Sequence, residues 1–150
     1  MAFEMSGEFL LPVGREQVWQ GLNDPDVLRR CIVGCEELNK TDDNSFAAKM
    51  KMKIGPVSAT FNGQVHLRDI DAPNGYRIEG QGEGGAAGFA KGGAKVVLSE
   101  AESGTLLRYE VDAVIGGRLA QLGGRLIAGV AKKQADLFFA NFAAEFGGGQ

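Results

Sequence analysis

A change of period near residue 116 narrows the folds open to this chain. From Glu36 to Ile115 apolar and polar residues alternate in twos between turn clusters. From Gly117 to Phe146 turn signals vanish and apolar residues recur at helical spacing. The clusters are Thr41-Asp42-Asp43-Asn44-Ser45, Gly55-Pro56, Asp71-Ala72-Pro73-Asn74-Gly75 and Glu102-Ser103-Gly104. Between them Met50, Met52 and Ile54 alternate with Lys49, Lys51 and Lys53, and Ala59, Phe61, Gly63, Val65 and Leu67 with Thr60, Asn62, Gln64, His66 and Arg68. Leu107, Tyr109, Val111 and Ala113 alternate with Arg108, Glu110 and Asp112. This spacing predicts an antiparallel meander with one wet face and one buried face.

Phe3, Met5, Gly7, Phe9 and Leu11 predict an opening strand that Pro12 stops. Val18, Trp19 and Leu22 predict a short helix, and Asp24-Pro25 caps and starts a second one that ends around Gly34. The last segment predicts one C-terminal helix over 117–146, on the order of 45 Å long and enough to cross a whole sheet. Its apolar stripe moves from Leu119 and Val130 round to Phe138 and Phe142. That drift predicts a bend near Gly123, Gly124 or Gly129, or two halves with different surroundings. The fold class is α+β: a curved antiparallel sheet of about seven strands wrapped on a long C-terminal helix, with two short helices after the first strand. One domain covers 1–146, and 147–150 are a flexible tail.

The net charge is −3, which leaves no broad basic field for phosphates and excludes nucleic acid as a partner. No secretory leader opens the chain and no apolar run approaches the ~20 residues of a membrane span, so a cytoplasmic protein with reduced thiols is expected. Glycine is the outlier at 23 of 150 residues, about twice the usual share. Glycine within strands marks bulges, bends and close approaches to the backbone.

The order of elements, with particular segments, resembles the helix-grip (START-like, polyketide cyclase-like) superfamily and, within it, the G-subunit family of carbon monoxide dehydrogenase. The segments are Val18-Trp19 through Leu22-Asn23-Asp24-Pro25, Cys31-Ile32-Val33-Gly34-Cys35, and Lys53-Ile54-Gly55-Pro56-Val57 with Ala59-Thr60-Phe61-Asn62-Gly63. Further on come the glycine-rich run from Gly82 through Phe89 to Gly92, and Gly116-Gly117-Arg118-Leu119-Ala120-Gln121-Leu122-Gly123 with Ala131-Lys132-Lys133. The resemblance implies an accessory, non-catalytic role beside a molybdenum-containing carbon monoxide dehydrogenase-type hydroxylase. It also implies attachment of that enzyme to the cytoplasmic face of the membrane, where electrons pass to quinone. From an apolar cavity in such a protein we infer an isoprenoid quinone or a lipid as ligand. Val33 stands where the family usually has proline. Many members continue into an apolar tail beyond the last helix, whereas this chain stops at Gly147-Gly148-Gly149-Gln150.

Met50, Met52, Phe61, Val65, Tyr76, Leu122, Leu126 and Val130 would face one interior, either as plain core or as the lining of an apolar pocket, with Phe138 on the second half of the helix. Phe89, in the glycine-rich segment, would form a rim at the pocket mouth or a docking point for a partner. Gly80-Gln81-Gly82-Glu83-Gly84-Gly85 formally matches a dinucleotide fingerprint, but a strand pattern follows it where that motif needs a helix, so bulged strand or loop is expected. Cys31 and Cys35 with the distant His66 fall short of a zinc ligand set, and no metal or other cofactor is expected. His66 alternates with Gln64 and Arg68 on the wet face. Lys49, Lys51 and Lys53 form a solvated strand face or a contact for an acidic partner or anionic headgroup. A small enzyme acting on an apolar substrate is the alternative; it would draw on Tyr76, Tyr109 or Glu79. A ligand-free interaction domain is a third reading, recognisable by a filled core and a large apolar patch.

Overall fold

In the computed structural model, which describes residues 1–148, seven antiparallel strands form one sheet in the order β1-β7-β6-β5-β4-β3-β2. The strands are β1 Ala2–Leu11, β2 Cys35–Asp42, β3 Ser45–Ile54, β4 Val57–Asp71, β5 Gly75–Glu83, β6 Phe89–Ala101 and β7 Gly104–Gly116. Consecutive strands β2 to β7 are hairpin neighbours, and β1 closes the order by pairing with β7 from Ala2↔Val114 to Leu11↔Thr105. The alternation holds along β1, where every residue from Phe3 to Leu11 at odd positions is more buried than its even neighbours.

Two short helices interrupt the sheet after β1, as the sequence predicts. In α1 (Arg15–Leu22) Val18 and Leu22 are buried. In α2 (Pro25–Cys31) the Asp24 carboxylate accepts from the backbone N–H groups of Asp26 and Val27, and Pro25 occupies the first turn where its missing N–H costs nothing. This helix stops at Cys31, before Gly34.

The expected single C-terminal helix is two. A four-residue α3 (Arg118–Gln121) ends at Leu122, and Gly123 at φ +90° redirects the chain into α4 (Gly124–Ala143). Only glycine takes that conformation without strain, so the break falls at Gly123, and Gly129 stays inside an unbroken helix. α4 has 20 residues, about 30 Å of axis at 1.5 Å per residue. A π-helical turn, Ala144–Gly148, follows. The 147–150 tail falls partly in that turn, and Gly149 and Gln150 lie outside the described residues.

Two apolar clusters hold the helix to the sheet. The first gathers Leu11, Val18, Leu22, Phe46, Leu67, Tyr76, Val96, Leu98 and Leu107 around Phe139 and Phe142. The second gathers Ile54, Val57, Phe61, Ala87 and Ile115 around Leu119 and Ile127. Stacking reinforces the first: Phe139 lies 4.4 Å from Phe9 and 5.7 Å from Tyr109, ring centre to ring centre. Arg30 of α2 pairs with Glu145 at 2.7 Å and ties down the last turn. Phe142 is wholly buried. Phe142→Ala is expected to cost roughly 3–5 kcal/mol of stability in urea unfolding, whereas an exposed change such as Leu137→Ala stays below about 1 kcal/mol.

Candidate functional site

The strand register places a distinct belt between the two clusters. On six of the strands the inward residues between the two clusters are mostly small: Gly7 on β1, Ala113 on β7, Gly92 and Ala94 on β6, Gly80 and Gly82 on β5, Gly63 on β4 and Ala48 on β3, with the larger Met5 and Val111 on β1 and β7. None of these belongs to either cluster, and each keeps part of its surface accessible. The facing stretch of α4 carries the short Ala131 and Ala135 with the longer Gln134, all half-buried between Val130 and Phe138. Helix and sheet are spaced by the leucines, isoleucines and phenylalanines at the two ends, and in the middle the Gly and Ala side chains fill that spacing only thinly, with the Tyr109 ring laid over Gly7. The α4 backbone accordingly comes near the sheet chiefly at β1 and β3, towards its two edges.

Gly7, Gly63, Gly80 and Gly92 have close neighbours, and among the belt glycines Gly82 is the one that faces open space. A Cβ added there meets nothing within 4 Å. Two residues on, a Cβ at Gly84 would run into the Phe61 ring, so the opening is bounded by the second cluster. The dinucleotide fingerprint is absorbed by the same observation. Gly80 to Glu83 are β5, and only a three-residue turn, Gly85–Ala87, precedes β6, so the segment offers no helix N-terminus to a pyrophosphate.

The residues singled out in the sequence divide between these regions. Met50, Met52, Phe61, Leu122 and Val130 gather in or against the second cluster, and Val65, Tyr76 and Phe138 in or against the first. Tyr76 is buried with its ring edge-on to Trp19, 5.0 Å between centres. Leu126 is 37% exposed and rests on Gly55, while its neighbour Ile127 points to the core. Phe89 is 43% exposed and covers the Gly116 backbone. Met5, Val111, Ala94 and Gln134 join the site without having been singled out by sequence reasoning. The inward alternation that marks Met5 and Val111 is visible in the sequence, but which residues lie side by side needs the register.

Tyr109 is the titratable group that reaches the belt, its ring and hydroxyl lying over Gly7; the others named in the sequence do not. Glu79 is on the outer face, 2.6 Å from Arg68 and 3.7 Å from Arg77, and Arg77 also pairs with Asp112 at 3.4 Å. His66 is on that face too, its Nδ1 2.8 Å from the Ser45 hydroxyl. Burial pushes the Tyr76 phenol well above its ordinary value and raises that of Tyr109 as well, with the Asp136 carboxylate adding to the latter. Neither is a proton acceptor near neutral pH. Burial also raises both thiols, Cys31 and Cys35. Three open clefts of about 340, 500 and 460 Å³ indent the polar outer face; none of the three lies under α4. Among the described residues no helix is long and apolar enough to cross a membrane.

A curved antiparallel sheet wrapped on a long C-terminal helix, with two short helices after the first strand, defines the helix-grip class. Solved structures share it. A conserved protein from Geobacillus kaustophilus is 31% identical over 97% of this chain and 94% of its own, with a TM-score of 0.86. A protein from Rhizobium leguminosarum is 12% identical, covering 96% and 93%, at TM-score 0.73. The Zhui aromatase/cyclase from Streptomyces sp. R1128 is 10% identical, covering 97% and 93%, at TM-score 0.71. The last two are similar in fold alone. No curated protein matches the sequence. The model of the carbon monoxide dehydrogenase G-subunit (CoxG) family matches residues 7–147, and the chain belongs to that family.

Because the space over Gly82 is empty, Gly82→Leu is expected to shift stability by less than about 1 kcal/mol, the strand gaining what glycine forfeits. Gly88→Ala is the contrast. Gly88 has φ +117° and its Cβ would strike the Gly116 carbonyl, so a loss of roughly 2 kcal/mol or more is expected. Thermal unfolding of the two variants side by side checks both.

Proposed function

We propose that this protein is a non-catalytic accessory partner of a molybdenum-containing carbon monoxide dehydrogenase-type hydroxylase. It holds an apolar ligand, an isoprenoid quinone or a lipid, in the belt between α4 and the sheet. It helps couple the enzyme to the membrane from the cytoplasmic side. The observation that carries the ligand is the pairing of two dense apolar clusters with a part-accessible Gly/Ala floor between them. The accessory role rests on membership of the family.

The lining suits a guest that is flat and greasy. Glycine and alanine expose the sheet backbone as a level surface, and Met5 and Met50 adapt to irregular apolar shapes at its borders. Gln134, on the Val130–Gln134–Phe138 line of the helix, is an uncharged amide able to donate to a carbonyl oxygen or accept from a hydroxyl. The enzyme alternative requires titratable groups converging on the ligand. Tyr76 is spent in the first cluster, Tyr109 stacks on Phe139, and Glu79 faces away.

Mass spectrometry of an organic extract from natively purified protein is the test. A quinone or lipid is expected in near-stoichiometric amount, and Gly82→Leu, folded but with a filled floor, is expected to carry at least several-fold less. A clean extract together with no uptake of an added isoprenoid quinone would sink the proposal.

A further inference from the structure

The antiparallel meander sends every strand end to one of two poles, and the poles differ in charge. At the pole where β1, β2, β4 and β6 end, the turns and strand ends carry Asp42, Asp43, Asp69, Asp71, Glu100 and Glu102. At the opposite pole, where β3, β5 and β7 end and α3 and α4 begin, the exposed charges are chiefly Lys51, Lys53, Lys91, Arg118 and Arg125, against Glu4, Glu36 and Glu83. The overall charge of −3 conceals this polarity.

One further observation sets the basic pole apart. The ion pairs among the described residues tie up cations elsewhere, such as Arg15 with Glu100 and Arg30 with Glu145, and none of the five basic residues is in one. Exposed apolar side chains occur at both poles, Val33 at 42%, Phe89 at 43%, Val114 at 55% and Leu126 at 37% at the basic one and Leu10, Ile70 and Val97 at the acidic one, but those at the basic pole sit among these unpaired cations. The contacts of Leu126 with Gly55, of Gly34 with Lys51 and of Gly88 with Gly117 gather these turns into one surface. Unpaired cations around protruding apolar groups match a bilayer with an anionic headgroup layer over an acyl interior. α4 starts here with no acidic residue in its first turn, so its dipole adds to the positive field.

We infer that this pole docks end-on to an anionic bilayer, with the sheet strands and α4 pointing away from the membrane. Lys53, Arg118 and Arg125 face headgroups, and Val33, Phe89 and Leu126 dip below them. The acidic pole then faces away from the surface, which fixes the orientation. The inference rests on the proposed function for its reason, since the second cluster is the part of the belt wall nearest the membrane and a ligand drawn from the bilayer need not cross water.

The test is co-sedimentation of the full chain with vesicles of phosphatidylcholine alone and of phosphatidylglycerol mixed with phosphatidylcholine. Binding is expected on the mixed vesicles, to weaken as salt is raised, and to be slight on phosphatidylcholine alone. Each basic residue near the surface is worth about fivefold, so Lys53→Glu with Arg125→Glu is expected to weaken binding more than tenfold. Asp43→Lys with Glu102→Lys, at the far pole, is expected to leave it unchanged or tighter. Thermal unfolding of both doubles verifies that they fold. Equal binding to both vesicle types, or intact binding by the basic-pole double, overturns the inference. If that double loses the oxidoreductase while still binding vesicles, the pole contacts an acidic protein surface and the inference falls. Ligand retention in the same preparations keeps the two readings apart. A vesicle-blind wild-type protein that still carries its apolar guest refutes the pole and leaves the belt standing; an empty protein that binds anionic vesicles does the reverse.

Discussion

Everything distinctive in this molecule follows from a helix held at two points above a curved sheet. Phe139 and Phe142 fix one end of α4, through stacking on Phe9 and Tyr109 and full burial of Phe142. Ile127, with Leu119 of the preceding turn, fixes the other. Large side chains at both ends set the height of the helix, and the residues between have no say in it. Ala131 and Ala135 above, and the glycines of β4, β5 and β6 below, are spanned at a distance that others determine. The break at Gly123 serves the same arrangement, because it lets Leu119 and Ile127 enter one cluster from two separate helices.

That division explains a composition otherwise hard to justify. Glycine within a strand gives up side-chain burial and about 0.5–1 kcal/mol relative to alanine. Gly63, Gly80, Gly82 and Gly92 are such residues, aligned across neighbouring strands by the pairings Gly63↔Gly82 and Gly80↔Gly92. A sheet that needed a filled core would gain by placing valine or isoleucine there. The clusters at the ends supply the stability that the belt forgoes, so the belt is free to answer to something other than folding.

Much of this was legible in the sequence, because it depends on local chemistry. Period-two alternation, the turn clusters, Pro12 as a stop and Asp24-Pro25 as a cap and first turn each act over a few residues. The belt was not legible, because it is a property of register. As a line of text the stretch containing Gly80 and Gly82 formally matches a phosphate motif and reads as bulged strand or loop. Its pairing with Gly63 and Gly92 turns it into a floor. The helix face shows a related limit: the stripe Leu122, Leu126, Val130 assumes continuous winding from Leu119, and the turn at Gly123 resets the phase. Ile127 rather than Leu126 is therefore the residue that enters the core. Phe89 is visible as an apolar residue in a glycine-rich stretch, but that its ring covers Gly116 requires the β6–β7 pairing.

The separation of charge from the interior decides between holding a molecule and transforming it. Acid–base chemistry needs a group whose proton affinity is tuned near neutrality and aimed at the reacting atom. Here burial drives the two interior phenols away from neutrality, and Arg68 and Arg77 engage Glu79 on the opposite face. What remains beside the belt is the Tyr109 hydroxyl, which its raised pKa keeps protonated near neutrality, and Gln134, which can orient a polar atom without exchanging protons with it at neutral pH. On the proposed function, such an interior recognises a guest by shape and by one or two hydrogen bonds, and returns it unchanged. For the quinone proposed as guest this would be the appropriate chemistry: its redox reaction belongs to whatever supplies the electrons, and the protein around it would have only to keep it out of water.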